Sequence, residues 1–408
     1  MSLSFGRHHV SIPGPSVIPE RVLNAMHRAM PNIYEGALVD TSNSVLEELP
    51  AIARTSGQAF MPITNGHGAW EMALTNTLSR DDQVLVLETG RFAAGWGGMG
   101  AFLGLRTDSI ISDPGVAVDP ARVEERLRAD TGHAIKAVLV VQIDTASSVW
   151  NDIAAIRRAI DAAGHPALFM VDCIASLGCT EYLMDDWGVD ITVGGSQKGL
   201  MVPPGLGFVW ASDKALKAHE SADLRTPYWD FSARMTEGAH YLRYCGTPPI
   251  QHIYAMREAL DMIAEEGMEN IWTRHRVLAD AVRSAVETWA TPEGLQFYVG
   301  DPASRGNSTT SVLSNKIDAI RLRQICEDKA GLTLGIGLGA DEAGTFRIGH
   351  MGHLSPPMIL GTLATIETGL IAMDAPIGGS GIAAAARTLA PALNAASVPP
   401  GMVRNPRP

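Results

Sequence analysis

Cysteine is scarce. Cys173, Cys179, Cys245 and Cys326 are the four in 408 residues, and no two of them share the CxxC spacing of a redox or zinc motif. That argues against a disulfide framework, and the four read as small core or loop residues of a reduced intracellular protein. Long apolar runs are missing too: no stretch can span a bilayer, and Met1 to His9 lacks the apolar region of a signal peptide. The expectation is a cytoplasmic protein with no membrane partner. Positive charge is also short, with 32 Lys and Arg against 44 Asp and Glu and a net charge of −12. Such a surface repels phosphates on average, and no basic run offsets it, so nucleic acid is not an expected partner. The histidines form no HExxH-type pattern, so no metal is expected, and no internal repeat is visible. What remains, with 46% hydrophobic and 19% charged residues, is the composition of an ordinary globular enzyme long enough for two domains.

Strand-like runs over 83–88, 135–141 and 167–171 alternate with helical patterns such as 152–163, which predicts an α/β fold with a mainly parallel sheet covered on both faces. Further helices are expected over 21–30 and 41–58, with long ones over 253–266 and 268–289. A second region follows, with strands at 308–313 and 346–348 and helices at 319–330 and 357–371. The boundaries expected are an N-terminal arm over 1–20, a large domain over 21–256, a smaller C-terminal α+β domain over 257–376 and an Ala/Gly/Pro-rich extension over 377–408. Part of that extension reads as helical, and Ser397 to Pro408 as a mobile tail.

Two residues carry the chemistry. The apolar run from Val189 breaks into a small-residue turn, Gly194-Gly-Ser-Gln-Lys198, that presents one lysine. Twenty-six residues earlier the run Ala167 to Asp172 ends in a lone carboxylate. A lysine after a strand is usually solvated, and a strand-terminal Asp is usually a helix cap. In this order the pair suits pyridoxal 5′-phosphate (PLP), which needs an amine to hold its aldehyde and an anion to keep its ring nitrogen protonated. Thr64-Asn-Gly-His-Gly68 precedes a helical run over 69–78, so backbone N–H groups and a positive helix end are available to a phosphate there, unless the segment is a plain glycine turn with a cap. Arg347 lies in an otherwise apolar strand, and its planar guanidinium suits a carboxylate in bidentate geometry; a structural salt bridge is the alternative.

These segments, together with Ile12-Pro-Gly-Pro-Ser16, Met170 to Gly178, Met184 to Asp190 and Phe346 to Gly352, resemble the class V aminotransferases of PLP fold type I, and within them the serine/alanine–glyoxylate aminotransferases, over nearly the whole chain. The resemblance implies a PLP enzyme in which Asp172 and Lys198 are catalytic. Asn65, Gly66, His67 and Gln197 would surround the cofactor phosphate, Phe92 and Ile174 would pack on the two ring faces, and Thr145 would place a hydroxyl nearby. Tyr244 and Thr247 match positions that reach the phosphate from a neighbouring subunit, which implies a homodimer with shared active sites. Arg347 would bind the substrate carboxylate. Asp144 to Val149 departs from the family's usual Glu-Thr-Ser-Thr-Gly-Val at four positions, of which Asp for Glu at the first and Ser for Gly at the fifth bear most on local shape.

Thr226 to Phe231, Arg243 to Pro249 and Phe346 to Gly352 resemble the serine–glyoxylate branch more than the animal alanine–glyoxylate branch. The expected reaction moves an amino group from L-serine, or alanine or aspartate, to glyoxylate, giving glycine and a 2-oxo acid. For aspartate, Arg225, Arg243 or a histidine would have to supply a second cation. Pyridoxamine–pyruvate and ureidoglycine–glyoxylate aminotransferases are the nearby alternatives, and Gly335-Ile-Gly-Leu-Gly339 follows the glyoxylate-enzyme pattern. A lyase or desulfurase on the same fold is a further alternative, though no cysteine lies in a clear catalytic loop. A non-enzymatic binding protein would have no need of Asp172, Lys198 and Arg347 together.

Overall fold

The computed structural model describes residues 3–236, 238–338 and 343–395. The chain begins with β1 (His9–Ser11), α1 (Glu20–Met26) and α2 (Ala37–Ala53), then β2 (Gln58–Phe60), β3 (Ile63–Thr64) and α3 (Gly66–Thr77). An alternating stretch follows: β4 (Gln83–Glu88), α4 (Arg91–Phe102), β5 (Arg106–Ile111), α5 (Pro120–Ala129), β6 (Ile135–Val141), α6 (Ile153–Ala162), β7 (Leu168–Asp172), β8 (Ile191–Gly195) and β9 (Gly205–Ala211). The rest comprises α7 (Asp213–His219), α8 (Phe231–Met235), α9 (Ile250–Glu266), α10 (Met268–Trp289), β10 (Gln296–Phe297), β11 (Thr309–Leu313), α11 (Ala319–Gln324), β12 (Leu332–Ile336), β13 (Thr345–Gly349), α12 (Pro356–Ala372) and α13 (Gly381–Ala395).

The large sheet runs β2-β9-β8-β7-β6-β4-β5, with β3 also on β9. Its β8-β7-β6-β4-β5 part is parallel, and β9 joins it antiparallel, as the α/β expectation of a mainly parallel sheet requires. Successive residues of a strand point to opposite faces, so a sheet covered on both sides needs continuous apolar strands. In β7, Phe169 and Val171 enter the core on one face while Leu168 and Met170 enter the core on the other. A third core lies against the small sheet, where Val282, Val286 and Trp289 of α10 meet Phe346 and Ile348.

Four local expectations need correction. The arm is part of the second sheet: β1 pairs in parallel with β12, giving the order β1-β12-β13-β11-β10. The first helix spans 20–26 instead of 21–30, because His27 leaves helical geometry at ψ 74. The second spans 37–53 instead of 41–58, because Arg54 takes a left-handed cap at φ 55 and Asp185 holds the next turn through the Thr55 hydroxyl (2.5 Å) and the Ser56 N–H (2.8 Å). The helix expected over 319–330 changes to a π-turn at Ile325–Lys329. Within the Ala/Gly/Pro-rich extension, α13 is the helical part, and its Gly381 lies against the Trp289 indole. The expected tail over 397–408 and Gly339 of the glycine segment lie outside the described residues. Among the described residues no helix is long and apolar enough to cross a membrane.

Candidate active site

In a parallel α/β sheet the strands end where loops can converge on a ligand. Here β7 ends in Asp172, and the turn after β8 carries Gln197 and Lys198 to the same edge. A cavity of about 220 Å3 opens there, lined by Asn65, Gly66, His67, Trp70, Phe92, Val141, Ile143, Thr145, Asp172, Ile174, Ala175, Gln197 and Lys198. Nine of the twelve residues singled out in the sequence line it, although they come from five separate stretches of chain.

Asn65 caps α3, its side-chain oxygen accepting from the N–H groups of His67 (3.1 Å) and Gly68 (3.4 Å), so the positive end of the helix is fixed at the cavity. A side chain at Gly66 would run into Ile174, so only glycine lets the turn after β7 close on this helix. Burial pushes Asp172 up to about 7, even though the Ile174 N–H (2.6 Å) and the Trp70 indole N–H (2.8 Å) favour its ionised form. An ionised carboxylate in so buried a place calls for a cationic partner.

Burial, and after it the field of Arg347, lowers Lys198 to about 8 against the opposing pull of Asp172. Its Nζ donates to the Pro13 carbonyl, and Gly14, at φ +90, leaves room for the side chain to pass. Ser16 holds the lysine's own backbone, its hydroxyl donating to the Lys198 carbonyl at 2.7 Å. The N-terminal arm therefore braces the amine, a role with no signal in the sequence beyond the Pro-Gly-Pro spacing.

Asp144 is buried and receives backbone N–H groups from Phe92 (2.8 Å), Ala93 (3.2 Å) and Ala146 (2.9 Å). It thus caps α4, whose N-cap is a glycine, and fixes Phe92 at the cavity. Arg347 is not among the residues lining the cavity but touches its wall: Nη1 donates to the Thr145 carbonyl at 2.6 Å and Nε to the Ile336 carbonyl at 2.7 Å. Nη2 has no hydrogen-bond partner among the described residues. Burial lowers the guanidinium to about 10, so it stays cationic at neutral pH.

Tyr244 and Thr247 stand apart from the cavity. Thr247 is exposed, while Tyr244 turns into its own chain, with its hydroxyl 2.5 Å from Ser42 in a small separate cavity beside Phe60 and Met61. The phosphate contact expected of Tyr244 runs to a neighbouring subunit and stays a proposal; within this chain its hydroxyl meets Ser42. Trp70, Val141, Ile143 and Ala175 line the cavity without having been singled out. Trp70 had a readable signal, since it lies one helical turn beyond Gly66 on the helix expected over 69–78.

A carboxylate and a lysine at the ends of neighbouring parallel strands, facing one cavity beneath a capped helix end, define a PLP-dependent transferase of fold type I. Residues 64–341 match the family model described as aminotransferase class-V, and the chain belongs to that family as a PLP-dependent transaminase. It is 39% identical over 402 residues to a serine–glyoxylate aminotransferase of Methylorubrum extorquens, covering 94% of this chain and 96% of the relative. It is also 39% identical over 381 residues to an L-aspartate–glyoxylate aminotransferase of Paracoccus denitrificans, covering 92% and 94%. Among solved structures, the pyridoxamine–pyruvate aminotransferase of Mesorhizobium loti superimposes with a TM-score of 0.85 at 26% identity, covering 94% of this chain and 97% of that one.

Proposed function

We propose that the chain transfers the amino group of L-serine to glyoxylate, giving glycine and a 2-oxo acid, with Lys198, Asp172 and Arg347 as the working residues. The observation that carries this is Arg347, a buried cation at the cavity wall with one guanidinium nitrogen uncommitted. That nitrogen suits the carboxylate shared by serine and glyoxylate. Within this chain Arg225 and Arg243 are exposed, and burial holds His67 below the usual imidazole value. A second buried cation for a dicarboxylate donor is therefore lacking among the described residues of the cavity, which favours serine over aspartate.

The residues present fit the cofactor. Gln197 has a buried side-chain oxygen with no partner among the described residues; with the amide turned over, its NH2 group takes that place and can donate to a phosphate. Asn65, Gly66, His67 and Gln197 would hold the phosphate, Phe92 and Ile174 the ring, Thr145 an adjacent polar group and Asp172 the ring nitrogen. Bound PLP supplies an aldehyde that takes up the amino group and a ring that accepts electrons. Lys198, whose amine burial brings down to about 8, takes the proton from the substrate Cα in its unprotonated form. Arg347 orients the substrate by its carboxylate, and Asp172 remains ionised opposite a positive charge.

Division into a large domain over 21–256 and a small one over 257–376 belongs to the same reading, as does a cytoplasmic homodimer in which Thr247 faces the partner. Exposure of Thr247 and the free state of all four cysteines support it. In such a dimer Tyr244 would act only if released from Ser42.

The test is the visible absorbance of the PLP-loaded protein on adding L-serine without acceptor, followed by glyoxylate. Loss and return of the cofactor band is the expected result. A band indifferent to serine moves the donor elsewhere, and no band after adding PLP removes the cofactor reading.

A further inference from the structure

We propose that Trp70 is a positioning residue for the cofactor, its indole N–H holding the Asp172 carboxylate in one orientation so that the remaining lone pairs face the cavity. This rests on Asp172 being the partner of the ring nitrogen. The carboxylate is gripped at both oxygens: the Ile174 N–H meets Oδ1 at 2.6 Å and the Trp70 Nε1 meets Oδ2 at 2.8 Å. The first grip is local, two residues along the same turn. The second comes from another element, 102 residues away in sequence, and so ties the carboxylate to α3.

That helix meets the cavity twice. Its N-terminal residues, Gly66 and His67, line it at the capped end, and Trp70 lines it one turn further on, beside Asp172. One rigid element therefore sets the spacing between the anion-friendly helix end and the carboxylate. The indole is itself locked: it is 1% exposed, stacks on Trp96 with centroids 6.0 Å apart at 16°, and meets His67 at 4.6 Å and the Phe92 ring at 6.4 Å. Phe92 in turn belongs to the helix capped by Asp144. A leucine or phenylalanine at position 70 fills apolar space without a donor, so packing alone does not account for an N–H aimed at a buried carboxylate. An N–H donor also favours the ionised form, against the burial that pushes Asp172 upward.

The test is a double-mutant cycle on the holoenzyme, with Trp70→Phe and Asp172→Asn alone and together, reading the equilibrium dissociation constant of PLP. Loss of a hydrogen bond to a charged group is expected to weaken PLP binding roughly ten- to hundredfold in the wild-type background and less than about threefold in the Asp172→Asn background. The acidic limb of the rate–pH profile should also move to higher pH in Trp70→Phe, which a purely structural role does not require. Equal losses in both backgrounds overturn the inference while leaving the cofactor reading intact; a wild-type protein that binds no PLP overturns both. Should Trp70→Phe fail to fold, the indole 15N–1H resonances of the eight tryptophans are compared between wild-type and Asp172→Asn holoenzymes. One resonance shifting strongly supports the grip, and a spectrum with no indole displaced overturns it.

Discussion

Two sides of the cavity carry buried charge by different means. On the sheet side, Asp172 ends one strand and Lys198 follows the parallel strand beside it, and burial brings both toward neutrality, the acid up to about 7 and the amine down to about 8. On the seam between the two sheets, Arg347 stays cationic and is held by carbonyls, one of them 202 residues away in sequence. The sheet side can exchange protons near neutral pH, and the seam keeps one charge in one place. Chemistry and recognition are thereby separated, and the separation can be tested from either side.

The largest effect is expected on the sheet side. Lys198→Ala removes the proton-transferring amine and should lower transamination about a thousandfold or more, read by steady-state turnover. A variant that turns over at the wild-type rate removes Lys198 from the chemistry. On the seam, Arg347→Ala should raise KM for serine and for glyoxylate roughly a hundredfold while PLP remains bound. Were both KM values unchanged, another cation would hold the carboxylate and the division of labour would fail.

Stability against pH distinguishes the two sides by sign. Asp172 has a raised value in the fold, so its contribution is present below the ordinary carboxylate range and is lost as pH rises through about 7. His275 and His350 border the seam, and His275 is neutral by geometry. The Gly352 N–H donates to Nε2 of His275 at 3.0 Å, and both Nδ1 atoms face carbonyls, of Ile271 and Asn307. Burial lowers each to about 3, so their contributions are present above the ordinary imidazole value and are lost as pH falls toward 3. Each group contributes a slope of about 1.4 kcal/mol per pH unit at most. In the cofactor-free protein, Asp172→Asn should therefore gain stability over wild type between pH 5 and pH 7, measured by urea unfolding. A gap that is the same at both pH values would show that Asp172 is not strained by its burial.

The same division decides what could be read in the sequence. Asp172, Gln197 and Lys198 follow apolar runs whose strands are legible, and Asn65 precedes a helical pattern, so spacing along the chain already aimed them at one edge. Contacts of long sequence separation left no such trace. That β1 joins β12, that Pro13 meets the lysine amine and that Asp144 caps α4 depend on how sheets and loops dock. Arg347 was found from its chemical oddity in an apolar strand, not from its partners. Resemblance carries the position of Tyr244 but not the direction of its ring, which within this chain turns to Ser42.

The smallest effect expected lies at Ser148, where the chain departs from the family's glycine. Its φ of 66 is left-handed, which costs a non-glycine residue about 1 kcal/mol or more. The hydroxyl meets Ser311 at 2.7 Å, and Ser311 sits in register opposite Arg347, so the serine ties the turn that bears the Thr145 carbonyl to the strand beside the arginine. One such bond contributes about 1 kcal/mol, which roughly offsets the strain. Ser148→Gly loses bond and strain together and should leave the melting temperature nearly unchanged. Ser148→Ala keeps the strain without the bond, a loss of about 1 kcal/mol that should lower the melting temperature by about 2 °C in a chain of this size. Both variants loosen the turn, which the Ser311 hydroxyl still holds through the Ala146 carbonyl at 3.3 Å, so both should raise KM for serine by about two- to fivefold with little change in kcat, an effect worth up to about 1 kcal/mol. Wild-type KM values in both would mean that Arg347 is held by its own two carbonyl contacts without help from the Ser148 hydroxyl.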